Sequence, residues 1–141
     1  MLIENLSESN VHAVAELETE CFGDDAWSEN LLRSELTPEK RYFVIRDGEK
    51  ALAYGGFIQI FDEGHITRIA VSKDCRRQGL GQQILSTFFS LASLIGINSF
   101  TLEVRIGNVP ARSLYEKNGF KLVGIRPKYY RDGEDCCIYW R

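Results

Sequence analysis

Residues 66–95 constrain this chain more than any other stretch. An apolar run from Ile66 to Val71 leads into Arg76-Arg77-Gln78-Gly79-Leu80-Gly81, and a long apolar run with helical spacing follows from Leu80 to Ile95. A buried strand, a glycine-rich turn and a helix make a βα unit, which commits the neighbouring chain to a sheet with helices packed on it. The turn itself has the makings of an anion cradle. Glycine lets backbone N–H groups come close to a ligand. The first turn of a helix adds unpaired N–H donors and a partial positive charge. The arginines add permanent charge and forked donors. The turn is therefore expected to hold a phosphorylated ligand.

The 141 residues suit a single domain, expected to span 1–141. A net charge of −3 leaves no general nucleic-acid footprint and makes the Arg76-Arg77 pair stand out. The start, Met1-Leu2-Ile3-Glu4-Asn5, lacks the charged-then-apolar pattern of a signal peptide. Leu80 to Ile97 is interrupted by Gln82, Gln83, Ser86, Thr87, Ser90 and Ser93, so it reads as a buried helix and not a membrane span. Cys21, Cys75, Cys136 and Cys137 show neither zinc spacing nor a disulfide framework. No metal is expected, and a reducing cytoplasm is the expected setting.

The order of elements follows from periodicity and turn residues. Met1 to Glu4 is read as a short strand, and Glu8 to Cys21 as a helix with Val11, Val14, Ala15 and Leu17 on one face. After a Gly23-Asp24-Asp25 loop, Ser28 caps a second helix, Trp27 staples onto Leu32, and the helix ends before Pro38. Strands are predicted at Tyr42–Ile45, Ala51–Phe61 and Gly64–Val71, with turns at Asp47-Gly48 and Asp62-Glu63-Gly64. A helix over about Gly79–Ile95 closes on Gly96. Then come a strand at Ser99–Arg105, a helix at Val109–Lys117 capped by Asn108, and strands at Phe120–Ile125 and Cys136–Trp140 flanking a Pro127–Asp135 loop. Such an order predicts an α/β domain with a mixed sheet.

Several segments now resemble a known family. The turn with Arg76, Gly79 and Gly81 matches the R/Q-x-x-G-x-G/A signature of the GCN5-related N-acetyltransferases (GNAT). Four further segments fall in order at matching distances: Ala26-Trp27-Ser28, Ile69-Ala70-Val71, Leu102 to Arg105 with Asn108, and Ala111 to Phe120. The tail adds Arg126, Tyr129-Tyr130 and Glu134-Asp135. Together they resemble the bacterial RimI subgroup, the ribosomal-protein-alanine N-acetyltransferases, over essentially the whole chain. The resemblance implies a mostly antiparallel mixed sheet of about seven strands with a splayed parallel pair, flanked by about four helices. It also implies acetyl-CoA as cosubstrate, an N-terminal amine as acceptor and ribosomal protein S18 as partner, without nucleic acid or membrane. The departures are Arg68, where a smaller residue is usual, the Gly23-Asp24-Asp25 approach to Trp27-Ser28, and an end at Arg141 directly after the last strand. They bear on substrate selectivity more than on cofactor binding.

Roles follow from the same resemblance. The N–H groups of Arg77, Gln78, Gly79, Leu80, Gly81 and Gln82 would wrap a pyrophosphate, beside Arg76. Backbone groups of Ile69, Ala70 and Val71 would face the pantetheine arm, with Val71 N–H polarising the thioester carbonyl. Asn108 would contact the same arm while capping its helix. Glu103, which alternation turns away from Leu102 and Val104, would be the general base, or else an ion-pair partner of Arg105 or Arg68. Tyr115 would be the general acid, or else an aromatic core residue. Trp27, Tyr129, Tyr130 and Glu134 would line the acceptor groove. Isolated His12 and His65 are given no catalytic role, and no His-Asp support for a cysteine nucleophile is visible. The rival readings are a transferase for a lysine or small amine, and a catalytically weak acetyl-CoA-binding module.

Overall fold

The computed structural model describes residues 2–141; the predicted strand residue Met1 lies outside them. The elements are β1 (Leu2–Asn5), α1 (Val11–Phe22), α2 (Glu29–Ser34), β2 (Lys40–Asp47), β3 (Lys50–Ile60), β4 (Glu63–Val71), α3 (Leu80–Ile95), β5 (Ser99–Arg105), α4 (Val109–Lys117), β6 (Lys121–Arg126) and β7 (Cys136–Trp140). The seven strands form one sheet in the order β1-β2-β3-β4-β5-β7-β6. Only β4 and β5 run parallel; the other neighbours are antiparallel. This is the mixed sheet with one parallel pair that the resemblance implies. Among the described residues, no helix is long and apolar enough to cross a membrane.

Each face of the sheet carries a core. Phe57, Leu85, Phe88, Phe100, Leu102 and Tyr139 form one cluster, filled by α3 and the small, apolar face of α4. Val11, Val14, Leu17, Leu32, Val44 and Tyr54 form the other, under α1 and α2. Leu102 and Val104 are buried in the first, so Glu103 points to the α1 side, as strand alternation requires.

Local signals held where a single side chain decides the geometry. Ser28 Oγ accepts from Leu31 N–H at 3.1 Å, and Asn108 Oδ1 from Ala111 N–H at 3.3 Å. Gly96 closes α3 in the left-handed region at φ 78°. The first helix starts at Val11, not Glu8, because Ser7 to Asn10 are spent on a turn. There Ser7 C=O accepts from the N–H groups of Asn10 and Val11, and buried Asn10 bonds Ser7 N–H and Asn5 C=O through its amide. Gly23–Asp25 is a single 3-10 turn and not an open loop.

The β4/β5 pair positions the site. Pairing runs only from Glu63↔Ser99 to Ile66↔Leu102, although β4 continues to Val71 and β5 to Arg105. The register of β4 on β3 steps from Phe57↔Ile66 to Gly56↔Arg68, leaving Thr67 as an extra residue. Such a bulge bends a strand and stops its pairing. Gly56 is needed at this point, because a Cβ there would lie 2.1 Å from Cδ1 of the Tyr42 ring. Beyond the bulge the two strands part and leave a gap.

Candidate active site

Backbone polarity of the gap follows from alternation. Ser72 N–H donates to Leu52 C=O at 2.8 Å, so Arg68, Ala70 and Ser72 turn their backbone groups toward β3. Ile69 and Val71 then present theirs to the gap. Ala70, expected to share this role, is committed to β3. Val71 C=O is taken by Arg76 Nε at 3.2 Å and the Cys21 thiol at 3.4 Å, so Val71 offers its N–H alone.

Downstream, a 3-10 turn at Lys73–Cys75 leads into the glycine-rich turn. Arg77 (φ 63°) and Gly79 (φ 79°) are both left-handed, which curls the chain so that successive N–H groups converge. The first bond of α3 runs from Gln83 N–H to Gly79 C=O at 3.0 Å. Among the described residues, none of the N–H groups from Arg76 to Gln82 has a protein acceptor. That is a cradle of unpaired donors at a helix start, bordered by exposed Arg76, Arg77 and Gln78. Leu80 lends it only an N–H, since its side chain is buried in the core. A Cβ at Gly81 would lie 3.0 Å from Leu114, so that glycine also lets α3 meet α4 closely. The Gln82 and Asn118 amides exchange two 2.8 Å bonds, tying the cradle to α4. From the other side Glu20 accepts from Lys73 N–H at 2.6 Å and from Ser72 Oγ at 3.1 Å. The Lys73 bond, chiefly, holds the Glu20 carboxyl below its ordinary range.

Glu103 and Tyr115 lie on opposite faces of the sheet beside this gap. Glu103 is 39% exposed, and its carboxylate faces Arg126 Nε at 3.4 Å and the Tyr129 hydroxyl at 3.3 Å. The ion-pair alternative expected for it is corrected in its partners. Arg105 is taken by Asp132 and Glu134, and Arg68 by Glu18. Tyr115 is buried against Phe120 and Tyr139, with ring centroids at 5.7 and 6.4 Å. Burial alone pushes its hydroxyl well above the ordinary range, so it keeps its proton. No described residue bonds that hydroxyl, yet it is not among the fully enclosed unpartnered atoms. Arg112 fixes the helix beneath: it donates to the Tyr139 hydroxyl (3.0 Å) and to Ile106 C=O (3.0 Å).

The α1 side of the gap is rimmed by two loops. Tyr129 and Tyr130 meet edge to face at 5.1 Å, and Tyr130 lies 4.1 Å under the Arg105 guanidinium. Glu134, expected in the groove, is committed elsewhere: it takes Arg105 Nη1 at 3.0 Å and Gly107 N–H at 2.8 Å, which fixes the β5–α4 turn. Trp27 packs on Tyr42 at 6.3 Å, and its N–H donates to Glu18 at 2.9 Å.

Glu18 and Glu20 were not anticipated from the sequence, and Arg126, noted there in the tail, was given no role. Glu18 did leave a signal. It falls four residues after Val14 and seven after Val11, on the apolar stripe of α1, where a carboxylate needs a buried partner. Glu20 left none, since its partners lie far along the chain.

Taken together, the gap can receive an extended chain from the cradle side and an amine from the α1 side. Glu103 borders the gap on the α1 side, and Tyr115 lies in the core of the opposite face. Comparison with known proteins shows the family and the fold. Residues 9–120 match the acetyltransferase (GNAT) family. A protein of Bacillus subtilis (strain 168), provisionally named a ribosomal protein bS18-alanine N-acetyltransferase, is 33% identical over 141 residues, covering 98% of this chain and 93% of its own. The crystal structure of the ribosomal-protein-S18-alanine N-acetyltransferase from Escherichia coli superimposes with a TM-score of 0.89 at 31% identity, covering 99% of this chain and 91% of that one. An aminoglycoside 6'-N-acetyltransferase solved with coenzyme A shares the fold at a TM-score of 0.86 and 14% identity, over 100% of this chain and 96% of that one. With the parted parallel pair and the donor cradle in place, the chain belongs to the GNAT family of N-acetyltransferases.

Proposed function

We propose that this single-domain enzyme acetylates the α-amino group of a protein N-terminus by direct transfer within a ternary complex. The acceptor suggested by its relatives is the N-terminal alanine of ribosomal protein S18, the activity for which they are named. The observation that carries the reading is the run of unpaired N–H groups from Arg76 to Gln82 beside the parted β4 and β5. Acetyl-CoA, the cosubstrate of the family, supplies the activated acetyl thioester.

The chain's own residues do the rest. The Arg76–Gln82 donors and the two arginines bind pyrophosphate oxygens. Ile69 would hold the pantetheine arm with the backbone groups it turns to the gap, and Asn108, the α4 cap, would contact the same arm. Val71 N–H, its carbonyl already occupied, donates to the acetyl oxygen as charge gathers there. Glu103, on the acceptor face, accepts the amine proton directly or through a water. An α-amino group needs little help, having a reference pKa of about 8 against about 10.4 for lysine. Tyr115, kept protonated by burial, donates to the departing thiolate from the cofactor face. Trp27, Tyr129 and Tyr130 line the way in.

Mass spectrometry of peptides incubated with the protein and acetyl-CoA tests this. The set varies the first residue and includes a lysine peptide with a blocked N-terminus. Acetylation confined to free N-termini, strongest on Ala or Ser, is the expected result. Modification of the blocked peptide moves the enzyme to lysine acceptors. No transfer at all points to a small amine or a binding module.

A further inference from the structure

Under the Phe22–Trp27 segment, Glu18 is the one charged side chain that is fully buried among the described residues. Its two oxygens are gripped by Arg68 Nε at 2.9 Å and Nη2 at 2.7 Å, and it also accepts from the Tyr54 hydroxyl and Trp27 N–H. Arg68 sits on β4 just past the Thr67 bulge, on the face that carries Glu103. Its guanidinium is covered by the rings of Phe22, at 3.8 Å, and Trp27, at 4.7 Å. Nη2 has one more partner, the main-chain carbonyl of Asp25 at 3.0 Å. The Asp25 carboxylate is 71% exposed and reaches Arg105 on β5 at 4.0 Å. One loop residue thus touches both strands that border the gap.

We infer that Arg68 is a positioning residue for the acceptor: it fixes Asp25 across the mouth of the gap, where the Asp25 carboxylate narrows the entrance and draws in a cationic acceptor. The inference rests on the reading that an amine enters on this face. Only a forked cation held by ring stacking meets both Glu18 oxygens and a backbone carbonyl at once; a lysine ammonium is a point charge with neither the fork nor the plane. The two contacts of Asp25 differ in kind. The one to Arg68 is short, at 3.0 Å, and comes from a guanidinium that Glu18 and two rings hold in place. The one to Arg105 is long and exposed, so an arriving ammonium displaces it at little cost. Rim charges of this sort act on capture and its salt dependence more than on the chemical step.

The test compares Arg68→Lys, which keeps a cation beside Glu18, with Asp25→Asn, which keeps the carbonyl and loses the charge. Amide hydrogen exchange at residues 23–27 reads the clamp without any acceptor. Arg68→Lys is expected to speed it about tenfold, as for one lost hydrogen bond to a charged group. With acceptor peptides, both variants are expected to raise KM about three- to tenfold while kcat and acetyl-CoA affinity stay within about twofold. The Asp25→Asn effect fades at high salt. Unchanged exchange in Arg68→Lys overturns the clamp, whatever the acceptor. Faster exchange with unchanged KM overturns its link to the acceptor, as does a parallel loss of cofactor affinity and kcat. If the wild-type protein acetylates no peptide, the proposed function fails and the link to the acceptor with it, while exchange still decides the clamp.

Discussion

At the scale of single residues, Glu103 and Tyr115 are distinguished by where they sit. One is a partly exposed carboxylate with a cation and a phenol for neighbours, the other a largely buried phenol without a partner among the described residues. Glu103→Gln and Tyr115→Phe are each expected to lower kcat by about 10²-fold, the usual yield of one positioned acid or base. Acetyl-CoA affinity, followed by calorimetry, should hardly move in either. Gly79 behaves in the opposite way. A Cβ there meets no protein atom, but φ is 79°, and a β-branched residue in that region costs about 1–3 kcal/mol of strain. Gly79→Val should therefore spoil the cradle and cut acetyl-CoA affinity about tenfold or more; unchanged affinity would remove the turn from the cofactor site. The facing of Glu103 and the tight turn at Gly79 were legible, because alternation and a local motif fix them. The place of Glu134 was not, since its carboxylate is drawn to Arg105 and Gly107 by a turn that no local pattern reveals.

At the scale of elements, the boundaries of β5, α4 and β7 matched the expectation because caps and turns there are local. Asn108→Ala removes the cap of α4 and should cost about 1 kcal/mol of stability, measurable as a lower urea midpoint. A loss in kcat accompanying it would show that the α4 start also serves Tyr115, seven residues on. The bulge at Thr67 was not legible. Beside it the Tyr42 ring lies over Gly56, a contact between β2 and β3 that alternation along one strand does not encode. Gly56→Ala forces that ring aside and should destabilise the fold by about 1–3 kcal/mol, as overpacking does. Thermal melting checks it; an unchanged midpoint would mean that Tyr42 yields freely.

At the scale of the whole molecule, the fold class was legible because strand and helix periods alternate cleanly along the chain. How its parts are tied together was not. Helix α1 reaches both binding regions through Glu18 and Glu20. Glu20 gives this a pH signature. Its folded carboxyl is lowered from 4.5, so its bonds to Ser72 and Lys73 stabilise the fold above that pH, and the benefit is lost as pH falls through the lower folded value. The difference in urea midpoint between wild type and Glu20→Gln is expected to be steady at neutral pH and to shrink on acidification below 4.5. A difference that persists undiminished in acid would show that Glu20 acts through packing and not through its charge.

The two carboxylates of α1 have a bearing on protein engineering. A designer who wants a new acceptor range would exchange the Gly23–Asp25 loop and leave the phosphate turn alone, treating them as separate modules. Both are tied to one helix by residues two apart, Glu18 holding Trp27 just past the loop and Glu20 holding Lys73 just ahead of the turn. A graft that tilts α1 to seat its new loop will also tug on the donor cradle, so a transplanted loop has to bring its own first helix with it.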